Sequence, residues 1–206
     1  MIMAQYQISA ITILTPFLFF IFLNAAACLC LSIGWDGLPL IHTGLIWLCI
    51  VLVTMQSTDR FYAADFEDGT LDLWLITGLF AKSLRVKLLS YWFFHMIGLL
   101  CCIPALQVFY NSSFSCTDYG MFGVGTLLFL CIGAIHSALL LGFKQTSINT
   151  TVCSILTLPT LLPALILCTS SCTDLSALLC LMGYCIFLYF VFAPFTRIIY
   201  KTCNTR

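Results

Sequence analysis

Long apolar runs dominate the chain and are broken by short polar or turn-forming clusters. A helix needs about 20 apolar residues to cross the hydrocarbon of a bilayer. Runs of this kind fall at residues 11–31, 38–55, 88–110, 119–143, 151–168 and 175–195, and predict six transmembrane helices. Between them lie the turn Gly34-Trp35-Asp36-Gly37 and the polar loops 111–118, 144–149 and 169–174. One connection is unlike the rest: residues 56–87 hold most of the charge. The expected fold is therefore an all-α integral membrane protein, a single domain over 1–206. Its six-helix bundle carries an amphipathic coupling loop between spans two and three.

Composition narrows the function classes. Hydrophobic residues make up 62% of the 206 residues and charged residues 8%, with a mean hydropathy of +1.09. A soluble domain of this size needs far more polar surface to cover its core. The zero net charge argues against nucleic acid, which demands clustered Lys and Arg. All eight basic residues, Arg60, Lys82, Arg85, Lys87, Lys144, Arg197, Lys201 and Arg206, fall on one predicted side. Asp36, Asp118 and Asp174 fall on the other. Positive residues stay inside, so both termini are expected on the cytoplasmic or matrix side. Arg60 is the first basic residue, so the opening run has no basic n-region and reads as a retained span. Without a basic, serine-rich transit segment, a mitochondrial location implies synthesis inside the organelle.

Within the coupling loop, Asp59 can cap a short helix by accepting backbone N–H bonds. Phe61, Tyr62 and Phe66 fall on one side of that helix; Asp65, Glu67 and Asp68 project elsewhere. Gly69 suits the left-handed position that ends it. Thr70 can cap a second helix with Asp72 in its first turn, where the macrodipole favours negative charge. Leu73, Trp74, Leu75, Ile76 and Phe80 make this second helix apolar, with Lys82, Arg85 and Lys87 closing it at headgroup level. The pattern fits two readings: a loop resting on the membrane, or a rigid acidic-aromatic knob that docks in a groove of a soluble subunit.

Other candidates are weaker. His95 and His136 are expected at similar depths, roughly 10–12 Å from the same side. Paired at one depth they can ligate haem iron; the commoner role is a hydrogen bond inside the bundle. His42 and Gly34-Trp35-Asp36 read as interfacial residues. Pro159 and Pro163 imply a kink in the fifth span, or a hinge. Gly133 and Ser137 form a small-xxx-small face for packing within the chain or against a second copy. Most of the 13 cysteines lie in apolar runs and act as small hydrophobes; Cys116, Cys168 and Cys172 near loop ends leave one oxidisable pair open. No metal-ligand set or catalytic constellation is expected. Gly78-Leu79-Phe80-Ala81-Lys82-Ser83 lacks the leading glycine of a phosphate-binding loop, so ATP hydrolysis by that mechanism needs another polypeptide.

The run from Asp59-Arg60-Phe61-Tyr62 through Asp65-Phe66-Glu67-Asp68-Gly69-Thr70-Leu71-Asp72 resembles the signature of the CcmB family after its second span. Gly133-Ala134-Ile135-His136-Ser137 and Leu156-Thr157-Leu158-Pro159-Thr160-Leu161-Leu162-Pro163 agree, and look closer to mitochondrially encoded members. The resemblance implies a non-catalytic membrane subunit of an ABC-type cytochrome c maturation complex in the mitochondrial inner membrane. Its implied partners are the ATPase CcmA, the tryptophan-rich haem-handling protein CcmC and the haem chaperone CcmE. ATP would sit on the first and haem be handled by the complex, and residues Asp59 to Asp72 would meet the ATPase. Two rival classes are a thiol/quinone redox protein, for which Cys168-x-x-x-Cys172 is a poor pair, and a structural subunit of a respiratory complex. The acidic loop favours the ABC-type reading over both.

Overall fold

Apolar runs too long to be solvated close their own backbone hydrogen bonds as helices, and the computed structural model is all-helical. It describes residues 10–32, 39–58, 61–111, 114–142, 159–170 and 175–204. In chain order the helices are α1 (Ala10–Ser32), α2 (Pro39–Thr58), α3 (Ala63–Glu67), α4 (Thr70–Ile76), α5 (Phe80–Tyr110) and α6 (Cys116–Gly142). They are followed by α7 (Pro159–Ser170) and α8 (Leu175–Asn204). Among the described residues, three stretches are long and apolar enough to cross a membrane: Phe80–Tyr110, Thr117–Leu139 and Ser176–Tyr200. Shorter apolar helical stretches cover Pro16–Cys30, His42–Thr58 and Pro159–Ser170.

The central helix is α6: 72% of its apolar stretch is buried, against 28% for α5 and 22% for α8. It packs on α8 and α2, while α1 packs on α2 and α5. Close approach of α2 and α6 depends on missing side chains. A Cβ on Gly125 would stand 2.5 Å from the Trp47 ring, and one on Gly133 would strike Thr58. Gly133 thus packs within the chain, as a small-residue face allows. Two buried clusters result. The larger runs through α1, α2, α5, α6, α7 and α8 around Trp47, Ile50 and Phe129. The smaller joins Phe61, Tyr62 and Leu71 to Phe80, Leu84 and Phe192.

The third span departs from expectation. It was expected from residue 88, with Lys82, Arg85 and Lys87 closing the preceding helix. Instead α4 stops at Ile76, Gly78 turns the chain at φ 72°, and α5 runs from Phe80 to Tyr110. The three basic residues therefore belong to the opening turns of α5. Gly78 takes a backbone conformation that side chains disfavour, whereas nothing between Lys82 and Tyr91 breaks a helix. Pro104 lies inside α5 and Pro194 inside α8. Pro159 and Pro163 both lie in the described part of α7, and both are exposed.

Replacing Gly125 with Leu should force α2 and α6 apart. Overpacking of this kind costs about 1–3 kcal/mol, so the detergent-solubilised protein should melt at a lower temperature. An unchanged melting curve would show that Trp47 has room to move.

Candidate docking hairpin and the intramembrane histidines

The loop after α2 folds into a helical hairpin. Tyr62 is the residue before α3 and makes no side-chain cap. Asp68 N–H donates to Ala64 O at 3.0 Å and Gly69 N–H to Phe66 O at 3.3 Å. Gly69, at φ 69°, ends α3 and stands immediately before α4. The left-handed glycine is as expected, but the cap before α4 is this glycine rather than Thr70. Asp59 and Arg60 lie outside the described residues.

Lysine 87 fixes the hairpin to the bundle. Its ammonium donates to Phe61 O at 2.7 Å, pairs with the Asp65 carboxylate, and lies 4.9 Å from the centre of the Phe61 ring. Asp65 is therefore buried and faces inward, contrary to the expectation that it projects with Glu67 and Asp68. An acid placed four residues beyond Phe61 follows the turn of the chain back to the same cation. Glu67 and Asp68 are exposed. Phe61 and Leu71 are buried in the smaller cluster, and Phe66 packs beside it. Burial also pushes the Tyr62 phenol well above its ordinary pKa, so that ring stays neutral.

Two more contacts tie the hairpin down. Tyr91 on α5 donates to Ser57 O at 2.6 Å, which anchors the end of α2. Tyr200 on α8 donates to Asp72 Oδ1 at 2.7 Å and stacks on Phe80 with centroids 6.0 Å apart. The hairpin, the start of α5 and the end of α8 thus share one end of the bundle, with Lys82, Arg85, Lys87 and Arg197. Sequence reading did not find Lys87, Tyr91 or Tyr200 as parts of this site. An (aromatic, acid) pair three to four residues apart, facing a lone lysine, is a usable signal only once the fold is known.

The histidines separate. Thr54 donates its hydroxyl hydrogen to Ile50 O at 2.7 Å, so His95 Nε2, 3.3 Å away, is the donor to Thr54. Phe17 stands against the same ring, 5.6 Å between centroids. His136 Nδ1 donates to Ile132 O in its own helix at 2.8 Å. Met96, next to His95, meets Thr126, and His136 lies ten residues further along α6. Depth therefore differs by about 10–15 Å at 1.5 Å per residue, and the expectation of equal depth fails because α5 begins earlier than the apolar run suggested. Local hydrogen bonds of this kind are the ordinary role of polar residues in a bundle. The His42 ring lies tilted against that of Tyr110, 5.1 Å between centroids, and the Tyr110 hydroxyl donates to buried Asn24. Cys168 is a buried thiol; the Cys116 side chain and Cys172 lie outside the described residues. Among the described residues, no three His, Cys, Asp or Glu side chains form a metal-sized group.

A helical bundle with membrane-length apolar helices and a hairpin clamped to its basic end defines the class: an integral membrane protein. The family model described as CcmB protein matches residues 7–195, and the chain belongs to that family. A putative cytochrome c biogenesis ccmB-like mitochondrial protein of Marchantia polymorpha is 33% identical over 192 residues, 93% of this chain and 68% of the relative. The protein so described from Arabidopsis thaliana is 33% identical over 174 residues, 84% of each. Heme exporter protein B of Pseudomonas aeruginosa is 26% identical over 155 residues, 74% of this chain and 68% of that protein.

Removing one partner of a partly buried charge pair costs about 1–3 kcal/mol when the other is left unsatisfied. Lys87→Met should therefore loosen the hairpin, seen as faster hydrogen exchange across residues 61–76. Asp65→Leu combined with Lys87→Met should recover part of the protection. Equal exchange in all three proteins would mean that packing alone holds the hairpin.

Proposed function

We propose that this chain is the membrane subunit of an ABC-type complex for c-type cytochrome biogenesis. In this reading its α3–α4 hairpin receives the motion of a separate ATP-hydrolysing subunit. The observation that carries the proposal is the hairpin itself: an element clamped by Lys87 and Tyr200 that exposes Glu67 and Asp68. A loosely attached loop would absorb a push; one tied to α5 and α8 passes it on. The names of the relatives supply the pathway, cytochrome c biogenesis and haem export. The expected partners are the ATPase CcmA, the haem-handling CcmC and the chaperone CcmE, with haem as cargo of the complex and ATP on the partner. The chain itself is read as non-catalytic.

In this reading the three long apolar helices and the three shorter ones together make six spans. With six, the basic end and both termini lie on the matrix side of the mitochondrial inner membrane. The contact surface is narrower than the whole run Asp59 to Asp72, because Phe61, Asp65 and Leu71 are buried. Among the described residues of that run, Glu67, Asp68 and Gly69, with the edges of Phe66 and Thr70, are exposed toward a partner. Pro159 and Pro163 retain a hinge role in this scheme, since Pro163 leaves the carbonyl of Pro159 without its helix hydrogen bond.

The test is recovery of partners from native membranes in mild detergent. The unaltered chain should bring down a P-loop ATPase together with a tryptophan-rich membrane protein. Glu67→Lys with Asp68→Lys should lower ATPase recovery several-fold while membrane insertion and melting stay unchanged. Undiminished recovery would remove the hairpin from the contact, and recovery of respiratory subunits without an ATPase would remove the function.

A further inference from the structure

We infer that the exposed apolar edge of α4 is seated in the lipid headgroup layer at the basic end of the bundle, so that the hairpin has a docking arm and a membrane arm. Leu73 and Ile76 on the seven-residue α4 are 58% and 83% exposed, and Leu79, which follows the Gly78 turn, is 53% exposed. The only charged residue on α4 is Asp72, and Tyr200 bonds it. The exposed acids, Glu67 and Asp68, lie on the α3 side of the Gly69 turn. The two arms thus differ in chemistry: one is acidic, the other apolar.

Continuity identifies the occupant. Leu79, Val86, Phe93 and Leu100 recur every seven residues, and all four are exposed; on a helix such positions share a face. This face of α5, with Leu89 and Ile97 beside it, is the one presented to acyl chains in a membrane-spanning helix. Leu79 therefore stands between the edge of α4 and this apolar face of α5, with exposed Thr77 and Lys82 beside it where polar groups meet headgroups. Depth agrees. A helix of 31 residues is about 46 Å long, close to the roughly 40–45 Å of a bilayer with its headgroups. The Phe80 end of α5 then lies within the headgroup layer instead of standing clear in water. Exposed Lys82 and half-buried Arg85 on the first turns suit anionic phospholipid headgroups at that level. A short helix there buries its apolar side at the headgroup–acyl boundary.

This inference rests on the membrane-spanning reading and is independent of ATPase docking. The full chain would be produced in membranes together with the ATPase, carrying p-benzoylphenylalanine in place of Ile76, Leu73, Asp68 or Phe93 in turn. After illumination, the probes at 76 and 93 should each gain the mass of one phospholipid, and the probe at 73 serves if position 76 is not tolerated. Adducts of 76 or 73 with the ATPase, or no lipid adduct at either while 93 gives one, would overturn the membrane arm. The probe at 68 reports separately on docking: an ATPase adduct there supports the proposed function, and none there counts against it without touching the lipid result.

Discussion

Everything distinctive about the basic end of this bundle depends on one ammonium group. Lys87 meets a backbone carbonyl, a carboxylate and an aromatic face, all within residues 61–65. A lysine on a transmembrane helix near the bilayer has two economical outcomes: its head reaches water, or it finds partners that satisfy its donors. Here the partners come from the loop that precedes the helix. Satisfying the charge and positioning the hairpin are therefore the same event. Because α5 is continuous from Phe80 onward, the hairpin is referenced to a rigid rod rather than to a flexible connection.

The second attachment gives the arrangement its direction. Tyr200 reaches α4 through Asp72, and α8 in turn lies along the central helix α6. A displacement of the hairpin thus has two exits, through Lys87 into α5 and through Tyr200 into α8. Neither route crosses α1, whose described contacts are with α2 and α5. The close approach of α2 and α6 at Gly125 and Gly133 makes that pair the part least able to deform. Motion from the hairpin is then expected between α5 or α8 and this stiffer centre.

Much of the plan was legible because bilayer physics leaves a short menu. Hydrophobic run length gave the helices of α1, α2, α6 and α8 to within a few residues, and α8 merely continues past its apolar part to Asn204. Gly69 was readable as a left-handed stop because its conformational need is local. What failed was long-range. The sequence shows Asp65 among other acids, and nothing local says that it turns inward; only Lys87, 22 residues on, decides that. Similarly, Lys82, Arg85 and Lys87 resemble a helix end by charge, yet they open one, because the break is set by Gly78 and not by polarity. His95 and His136 were misaligned for the same reason, since counting depth from an apolar boundary errs when the helix starts earlier.

The buried polar groups of the spans lead to a related point about mechanism. Thr54 bonds Ile50 and receives His95, Asn24 bonds Phe20 and receives Tyr110, and Thr126 and Thr196 return to carbonyls four residues back. Most of these bonds close within one helix or between immediate neighbours. In hydrocarbon such local satisfaction makes each helix a self-contained unit. Bonds between spans are then cross-links: Tyr110 to Asn24, His95 to Thr54 and Trp92 to Gly123 tie α5 to α1, α2 and α6. At the basic end Lys87, Tyr91 and Tyr200 add further long-range contacts, which join the hairpin and the end of α2 to α5 and α8. In the proposed role, a push on the hairpin would therefore reach α1, α2 and α6 through α5, the helix that holds both Lys87 and these cross-links.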